Sequence, residues 1–196
     1  MIETLIFDLD DTLYPKTTGV WDAIGERINL FVMDSLSIDL AGARRVRDEL
    51  FHEYGTTLRG MQEVYGIDPY AYLNFVHNIP LENYLQPNPN LRKILKSING
   101  RKTIFTNADQ NHAMRVIDQL GLSGIFERII DVMDVASYCK PQPEAFEQAL
   151  RILGGISPSN CVIIEDSISN VQSARQLGFY TVLVGNHFDH DNPAHA

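Results

Sequence analysis

The chain is poor in cysteine, in tryptophan and in positive charge, and it has no long apolar run. Each shortage removes a class of protein. Two cysteines, Cys139 and Cys161, are too few for a disulfide scaffold and form no metal-ligand spacing, so they are expected as reduced thiols of a cytoplasmic protein. No stretch approaches the roughly 20 apolar residues that cross a bilayer. Met1-Ile2-Glu3-Thr4 carries an acid and leads straight into a strand pattern, which disfavours a signal peptide. Lys and Arg number 16 against 25 Asp and Glu, a net charge of -9. That sign disfavours a nucleic-acid polymer or an anionic membrane as partner. An anionic substrate must then be held by local cations, because the overall field repels it.

What remains is 196 residues, 44% of them hydrophobic, without internal repeats or low-complexity stretches. This length suits one compact domain, or a core with a smaller insertion. Short apolar runs, many of them β-branched, fall at Leu5 to Phe7, Thr103 to Phe105, Ile129 to Val132, Val162 to Ile164 and Thr181 to Val184. Runs of this length fit strands buried on both faces. Helical spacing separates the later ones: Ala113, Val116, Ile117 and Leu120 before Gly121; Phe146, Ala149, Leu150 and Leu153 before Gly154; Val171, Ala174 and Leu177 before Gly178. The alternation predicts an α/β fold, a parallel Rossmann-like sheet with helices on both faces. From about Gly19 to Leu85 the pattern is helical only, over Val20 to Leu36, Ala41 to Tyr54, Thr57 to Tyr65 and Pro69 to Val76. One crossover needs one helix, so this stretch reads as an inserted all-helical cap. The expected division is 1–16 and 87–196 for the core and 17–86 for the cap.

Chemistry gathers at the predicted strand ends. The first run ends in Asp8-Leu9-Asp10-Asp11-Thr12, the second in Thr106-Asn107 and the fourth in Glu165-Asp166, while Lys140-Pro141 precedes a helix. In an open α/β sheet, ligands bind beyond the carboxyl ends of the strands. Carboxylates crowded there repel, and a hard divalent cation with oxygen ligands offsets that repulsion. A lysine and a threonine add charge and a donor for phosphate oxygens. Together they form a candidate site for Mg2+ and a phosphoryl group.

The order Asp8-Leu9-Asp10-Asp11-Thr12, Thr106, Lys140-Pro141, Glu165-Asp166 resembles the four motifs of the haloacid dehalogenase-like hydrolase superfamily. The resemblance implies Asp8 as nucleophile, forming an aspartyl-phosphate, and Asp10 as general acid and base. It implies Thr106 and Lys140 as holders of the phosphoryl group, and Thr12 and Asn107 as candidate substrate contacts. Mg2+ would be held by the Asp8 carboxylate, the Asp10 main-chain carbonyl and Asp166, with Glu165 as a ligand or a partner behind them. Asp10 must be protonated to act as an acid, and crowding among carboxylates is expected to favour that. Asp10 also stands where the dehalogenases of the superfamily carry Tyr and its transport ATPases carry Lys, which disfavours both activities.

Tyr54-Gly55-Thr56-Thr57-Leu58-Arg59-Gly60, Tyr65-Gly66, Phe75-Val76-His77, Phe105-Thr106-Asn107-Ala108 and Glu165 to Asn170 resemble the pyrimidine 5′-nucleotidase-like branch, although many relatives carry glycine in place of Asn170. This implies a small-molecule phosphate ester as substrate, specifically a nucleoside (pyrimidine) 5′-monophosphate; a monomer or homodimer is expected. Arg59 would reach sugar or phosphate through its planar fork, or else be solvated on an ordinary helix start capped by Thr56. The alternatives are a phosphatase or mutase for another small phosphate, such as phosphoglycolate or a sugar phosphate, a phospho-acceptor signalling domain, and a binding protein on an idle core. The polar tail Asn186 to Ala196, with His187, His190 and His195, is expected to be solvated.

Overall fold

The computed structural model of the protein describes residues 2–185, so the histidine-bearing tail lies outside the described residues. Five parallel strands form one sheet: β1 (Thr4–Phe7), β2 (Arg101–Phe105), β3 (Arg128–Ile130), β4 (Cys161–Glu165) and β5 (Tyr180–Leu183), in the order β3-β2-β1-β4-β5. β1 is central, in register with β2 (Phe7 beside Ile104) and with β4 (Phe7 beside Ile164). The chain reverses direction across the sheet here, from the β1-β2-β3 side to the β4-β5 side. The carboxyl end of β1 therefore sits at the crevice where such sheets bind ligands.

Consecutive strand residues face opposite sides. Phe7 and Ile104 join one apolar cluster with Ala113 and Val116, while Ile6, Phe105 and Ile163 join another with Phe146 and Ala174. The helices α6 (Gln110–Gln119), α7 (Pro143–Ile152) and α8 (Ile168–Gln176) supply those partners, so both faces are covered as the apolar runs require. β3 stops at Ile130, two residues short of the apolar run. The buried Asp131 carboxylate there accepts from the N–H groups of Gln110, Met133 and Asp134, turning the chain and fixing the start of α6.

The helical stretch forms α1 (Val20–Leu36), α2 (Leu40–Tyr54), α3 (Thr57–Tyr65) and α4 (Pro69–Val76), all between β1 and α5 (Pro89–Ser97). Their starts follow from local chemistry: Asp39, Thr56, Asp68 and Asn88 each accept from backbone N–H groups of the following turn. α1 packs on α2 and α4, and α2 on α3. The α2–α3 contact is close enough that a Cβ on Gly60 would lie 2.6 Å from Leu50 Cβ. Leu9, Leu13 and Tyr14 carry the sheet-side cluster into these helices, joining Val20, Leu58 and Val76. Among the described residues no helix is long and apolar enough to cross a membrane, and both cysteines are buried free thiols.

Candidate active site

Asp8 follows the last residue of β1, and its N–H donates to Ile164 O (2.9 Å), which ties it to β4. Glu165 and Asp166 end β4 alongside. Carboxylate oxygens of Asp8, Glu165 and Asp166 all lie within 4.8 Å of one another. Lys140 enters from the loop before α7 and places Nζ 2.7 Å from Asp8 Oδ1, 2.7 Å from Glu165 Oε1 and 2.9 Å from Phe105 O. All three ammonium hydrogens are used, and Lys140 is 2% exposed. The Thr12 hydroxyl lies between two acids, 3.0 Å from Asp8 Oδ2 and 3.3 Å from Asp166 Oδ1.

The electrostatics follow from this packing. Burial pushes Asp8 up to about 8; Lys140 pulls against it, and Glu165 and Asp166 add to the rise. Burial also raises Asp166, helped by Glu165. Burial opposes ionisation of Glu165 too, but the Lys140 charge and hydrogen bond, with donors from Ser167 and Asn170, bring it below the usual range. Three carboxylates against one ammonium leave an excess of negative charge in a dry site. That is the donor set and charge deficit a hard divalent cation satisfies, so the residues fit Mg2+.

Residues 2–178 match the family model of the haloacid dehalogenase-like hydrolases. The chain belongs to that family. It is 31% identical over 195 residues to Phosphate metabolism protein 8 of Saccharomyces cerevisiae, an alignment covering 92% of this chain and 61% of the yeast protein, so the chain spans under two thirds of that relative. It is 26% identical over 201 residues to the glyceraldehyde 3-phosphate phosphatase of Pyrococcus abyssi, covering 93% of this chain and 81% of the other. In fold it is similar to the crystal structure of a HAD phosphatase from Thermococcus onnurineus, with a TM-score of 0.61 at 20% identity over 96% of this chain and 88% of that one.

The fold brings Asp8, Thr12, Lys140, Glu165 and Asp166 into direct contact, and the details differ from simple expectation. Glu165 accepts from Lys140 and Asn170 at Oε1 and from Ser167 N at Oε2, so its oxygens are already engaged in orienting neighbours. The Asn170 side chain is spent on that contact. Thr106 is buried, its oxygen accepts from Ala108 N (3.0 Å), and its own hydrogen remains to give. Asn107 does not face outward. Its Nδ2 donates to Lys140 O (2.8 Å) and its Oδ1 accepts from Lys140 N (2.9 Å), a two-point clamp on the loop that carries the lysine. Arg59 is not solvated: it donates to Val132 O (2.6 Å), Tyr138 O (2.9 Å) and Gln62 Oε1 (2.9 Å), is 7% exposed, and keeps only its buried Nε without a partner. It pins α3 to the same 131–140 loop. Thr56 does cap α3, accepting from Arg59 N.

Asp10 corrects the expectation from crowding. Its Oδ1 takes the Tyr14 hydroxyl at 2.5 Å and His112 Nε2 at 2.8 Å. Burial works to raise Asp10, but the charge and hydrogen bond of His112, with the Tyr14 bond, outweigh it and hold Asp10 below its usual value. The carboxyl raised by crowding is Asp8. Its side chain points among Glu165, Asp166 and Lys140, whereas that of Asp10 turns towards α6. Tyr14, Asp109 and His112 were not marked as site residues by the sequence, because a Tyr after a strand and a His in a first helical turn are ordinary choices, and His77 entered only as part of the Phe75-Val76-His77 motif with no role attached.

Proposed function

We propose that the protein is a Mg2+-dependent phosphatase for small phosphate monoesters, with Asp8 as nucleophile. The observation that carries this is the convergence of Asp8, Lys140 and Asp166 from three separate segments onto one buried point. Asp8 and Asp166, with the Asp10 carbonyl, would hold Mg2+, which supplies the positive charge that lets a carboxylate approach a phosphate. An Asp8 oxygen bonds to phosphorus as the ester P–O bond breaks. Asp10, which His112 and Tyr14 favour as the anion, must take up a proton before this step; it then gives that proton to the leaving oxygen, and in the second step water attacks the aspartyl-phosphate while Asp10 takes a proton back. Thr106 and Lys140 donate to the non-bridging oxygens. Lys140 is saturated here, so an incoming phosphoryl group would take over its bond to Asp8.

Residues 17–86 would act as a cap on the 1–16 and 87–196 core, excluding water during transfer. For the substrate class we favour nucleoside 5′-monophosphates, pyrimidine ones first. The likeness of the cap motif around Tyr54 to Gly60 to the pyrimidine 5′-nucleotidase-like branch supports that choice. Relatives named for glyceraldehyde 3-phosphate and phosphoglycolate support a second reading, a phosphatase for a smaller ester. Phosphate release from a panel of esters, with Mg2+ and with chelator, decides. Uridine and cytidine monophosphates should lead, and chelator should stop turnover. Equal rates on purine nucleotides, or a lead for phosphoglycolate or a triose phosphate, would replace the substrate class. Full activity in chelator would sink the metal.

A further inference from the structure

Behind Asp10 lies a buried chain of side chains that the chemistry above does not use. His112, in the first turn of α6, is 1% exposed and gives Nε2 to Asp10 Oδ1. Its ring stacks on that of His77, with centroids 4.3 Å apart and planes 21° apart. His77 caps the C-terminus of α4, on the helical side, and its Nδ1 is hydrogen-bonded to Asp109 Oδ2. Asp109 Oδ1 in turn accepts from His112 N. Arg115, next along α6, donates to His77 O (2.9 Å) and to Ile79 O. The end of α4 is thus clamped, by backbone and by ring, to the helix that contacts Asp10.

A hydrophobic pair would fill this space without leaving a polar orphan. Instead His112 Nδ1 is buried with no partner, a cost that packing alone does not require. The compensating gain lies at Asp10. Tyr14 and His112 both bond Oδ1, and among the described residues no hydrogen bond reaches Oδ2. A carboxylic acid protonated on Oδ2 keeps Oδ1 as a carbonyl acceptor, so the same two donors hold the side chain in its acid and base forms.

We propose that Tyr14 and His112 are positioning residues that fix the Asp10 carboxyl by Oδ1 and present Oδ2 to the leaving oxygen, and that His77, through its stack on His112, lets the end of α4 set that orientation. This rests on the reading of Asp10 as general acid and deepens it. The donors come from the turn after β1 and from α6, so the general acid is held from two sides, and one of those is braced by the helical insertion. A side chain held by one donor would rotate about its Cβ–Cγ bond, and a misplaced proton donor loses rate steeply.

The test exploits the leaving group. An alkoxide needs a proton to depart; p-nitrophenolate does not. Tyr14→Phe, His112→Leu and His112→Gln are compared with the wild type on β-glycerophosphate at steady state and on p-nitrophenyl phosphate by the single-turnover burst of nitrophenolate, all with Mg2+. Tyr14→Phe and His112→Leu should lower kcat on the alkyl ester about tenfold to a hundredfold, because general acid catalysis contributes about 100- to 10,000-fold in all. KM and the nitrophenolate burst rate should change less than about threefold, because binding and nucleophilic attack are untouched. His112→Gln, whose amide can donate to Oδ1, should recover most of the loss. His77→Phe, which keeps a stacking ring, should be milder than His77→Ala in the same pattern.

Tyr14→Phe removes one oxygen atom and keeps the ring in the core, so it remains informative if the His112 variants fail to fold. Equal losses on both esters, a change confined to KM, or no loss in Tyr14→Phe and His112→Leu would overturn the positioning role. Asp10→Asn in parallel separates the levels. If it shows no contrast between the two esters, the general-acid reading falls and takes this proposal with it; if it shows the contrast and the Tyr14 and His112 variants do not, only the positioning role falls.

Discussion

Removing the Lys140 ammonium is the sharpest test of the site's electrostatics. Lys140→Met keeps the length and apolar bulk of the stem and deletes three donors, those to Asp8, Glu165 and the Phe105 carbonyl. At a separation of 2.7 Å and an effective dielectric of about 20, a pair of unit charges carries about 6 kcal/mol of gross attraction, in full for Glu165 and for Asp8 only once it ionises, near pH 8. The cost of drying all three groups cancels much of that. The net loss on breaking a buried pair from one side is about 3–5 kcal/mol, a large part of the roughly 5–15 kcal/mol that holds a typical domain folded. With a urea slope of about 2 kcal/mol/M, the unfolding midpoint of the metal-free protein should fall by about 1.5–2.5 M.

The pH dependence adds a signature. Asp8 has its folded value raised to about 8 from 3.8, with Lys140 pulling it down. Without Lys140 it rises further. A carboxyl raised in the folded state stabilises fully below its unfolded value and loses that contribution as pH climbs through the folded one. Between those two values Asp8 gives both proteins the same slope, and the difference comes from Glu165, which Lys140 holds below its usual range. The deficit of Lys140→Met should therefore shrink towards pH 4 as Glu165 is protonated, grow as pH climbs from there, and widen again above about pH 8 where wild-type Asp8 ionises. Arg101→Ala, at the half-exposed pair with Glu127, is the control and should cost under about 1 kcal/mol. A Lys140→Met deficit under about 1 kcal/mol at pH 8, or one that shrinks as pH rises, would refute the account of a dry, charge-coupled site.

Asp8→Asn should abolish phosphate release from every ester while far-UV circular dichroism and cooperative unfolding persist; substantial turnover in the folded variant would remove Asp8 as nucleophile. Arg59→Ala leaves the buried carbonyls of Val132 and Tyr138 without their donor and should cost about 1–3 kcal/mol by urea titration. A neutral result there would mean that water replaces the guanidinium. Burial lowers His77 below its usual 6.5 against the pull of Asp109, so the unfolded chain binds the extra proton first. Stability should fall as pH drops through about 6.5, and His77→Phe should flatten that slope; equal slopes in both proteins would show that His77 titrates normally. Gly60→Ala drives a methyl into Leu50 and should cost about 1–3 kcal/mol by the same titration, unless α2 and α3 move apart freely.

The helices and strands were legible because their signals are local. Apolar runs of strand length, helical spacing from Ala113 to Leu120, and the cap at Thr56 all act within a few residues. Asp8, Glu165 and Asp166 were legible as neighbours because Asp8 directly follows β1, Glu165 closes β4 and Asp166 follows it, and a parallel sheet aligns strand ends; Thr106 follows β2 in the same way. The sequence by itself determined which groups stand at that edge, since register and side-chain alternation leave little choice. Their working partners were decided only by the tertiary structure. Arg59 meets Val132 across 73 positions, and His112 meets Asp10 across 102. Asn107 turns inward to clamp Lys140, and Asp10 escapes the crowding that raises Asp8. A hydrogen bond or a pKa depends on which groups lie within a few ångströms and how much water is left between them, and neither quantity exists until the chain has closed on itself.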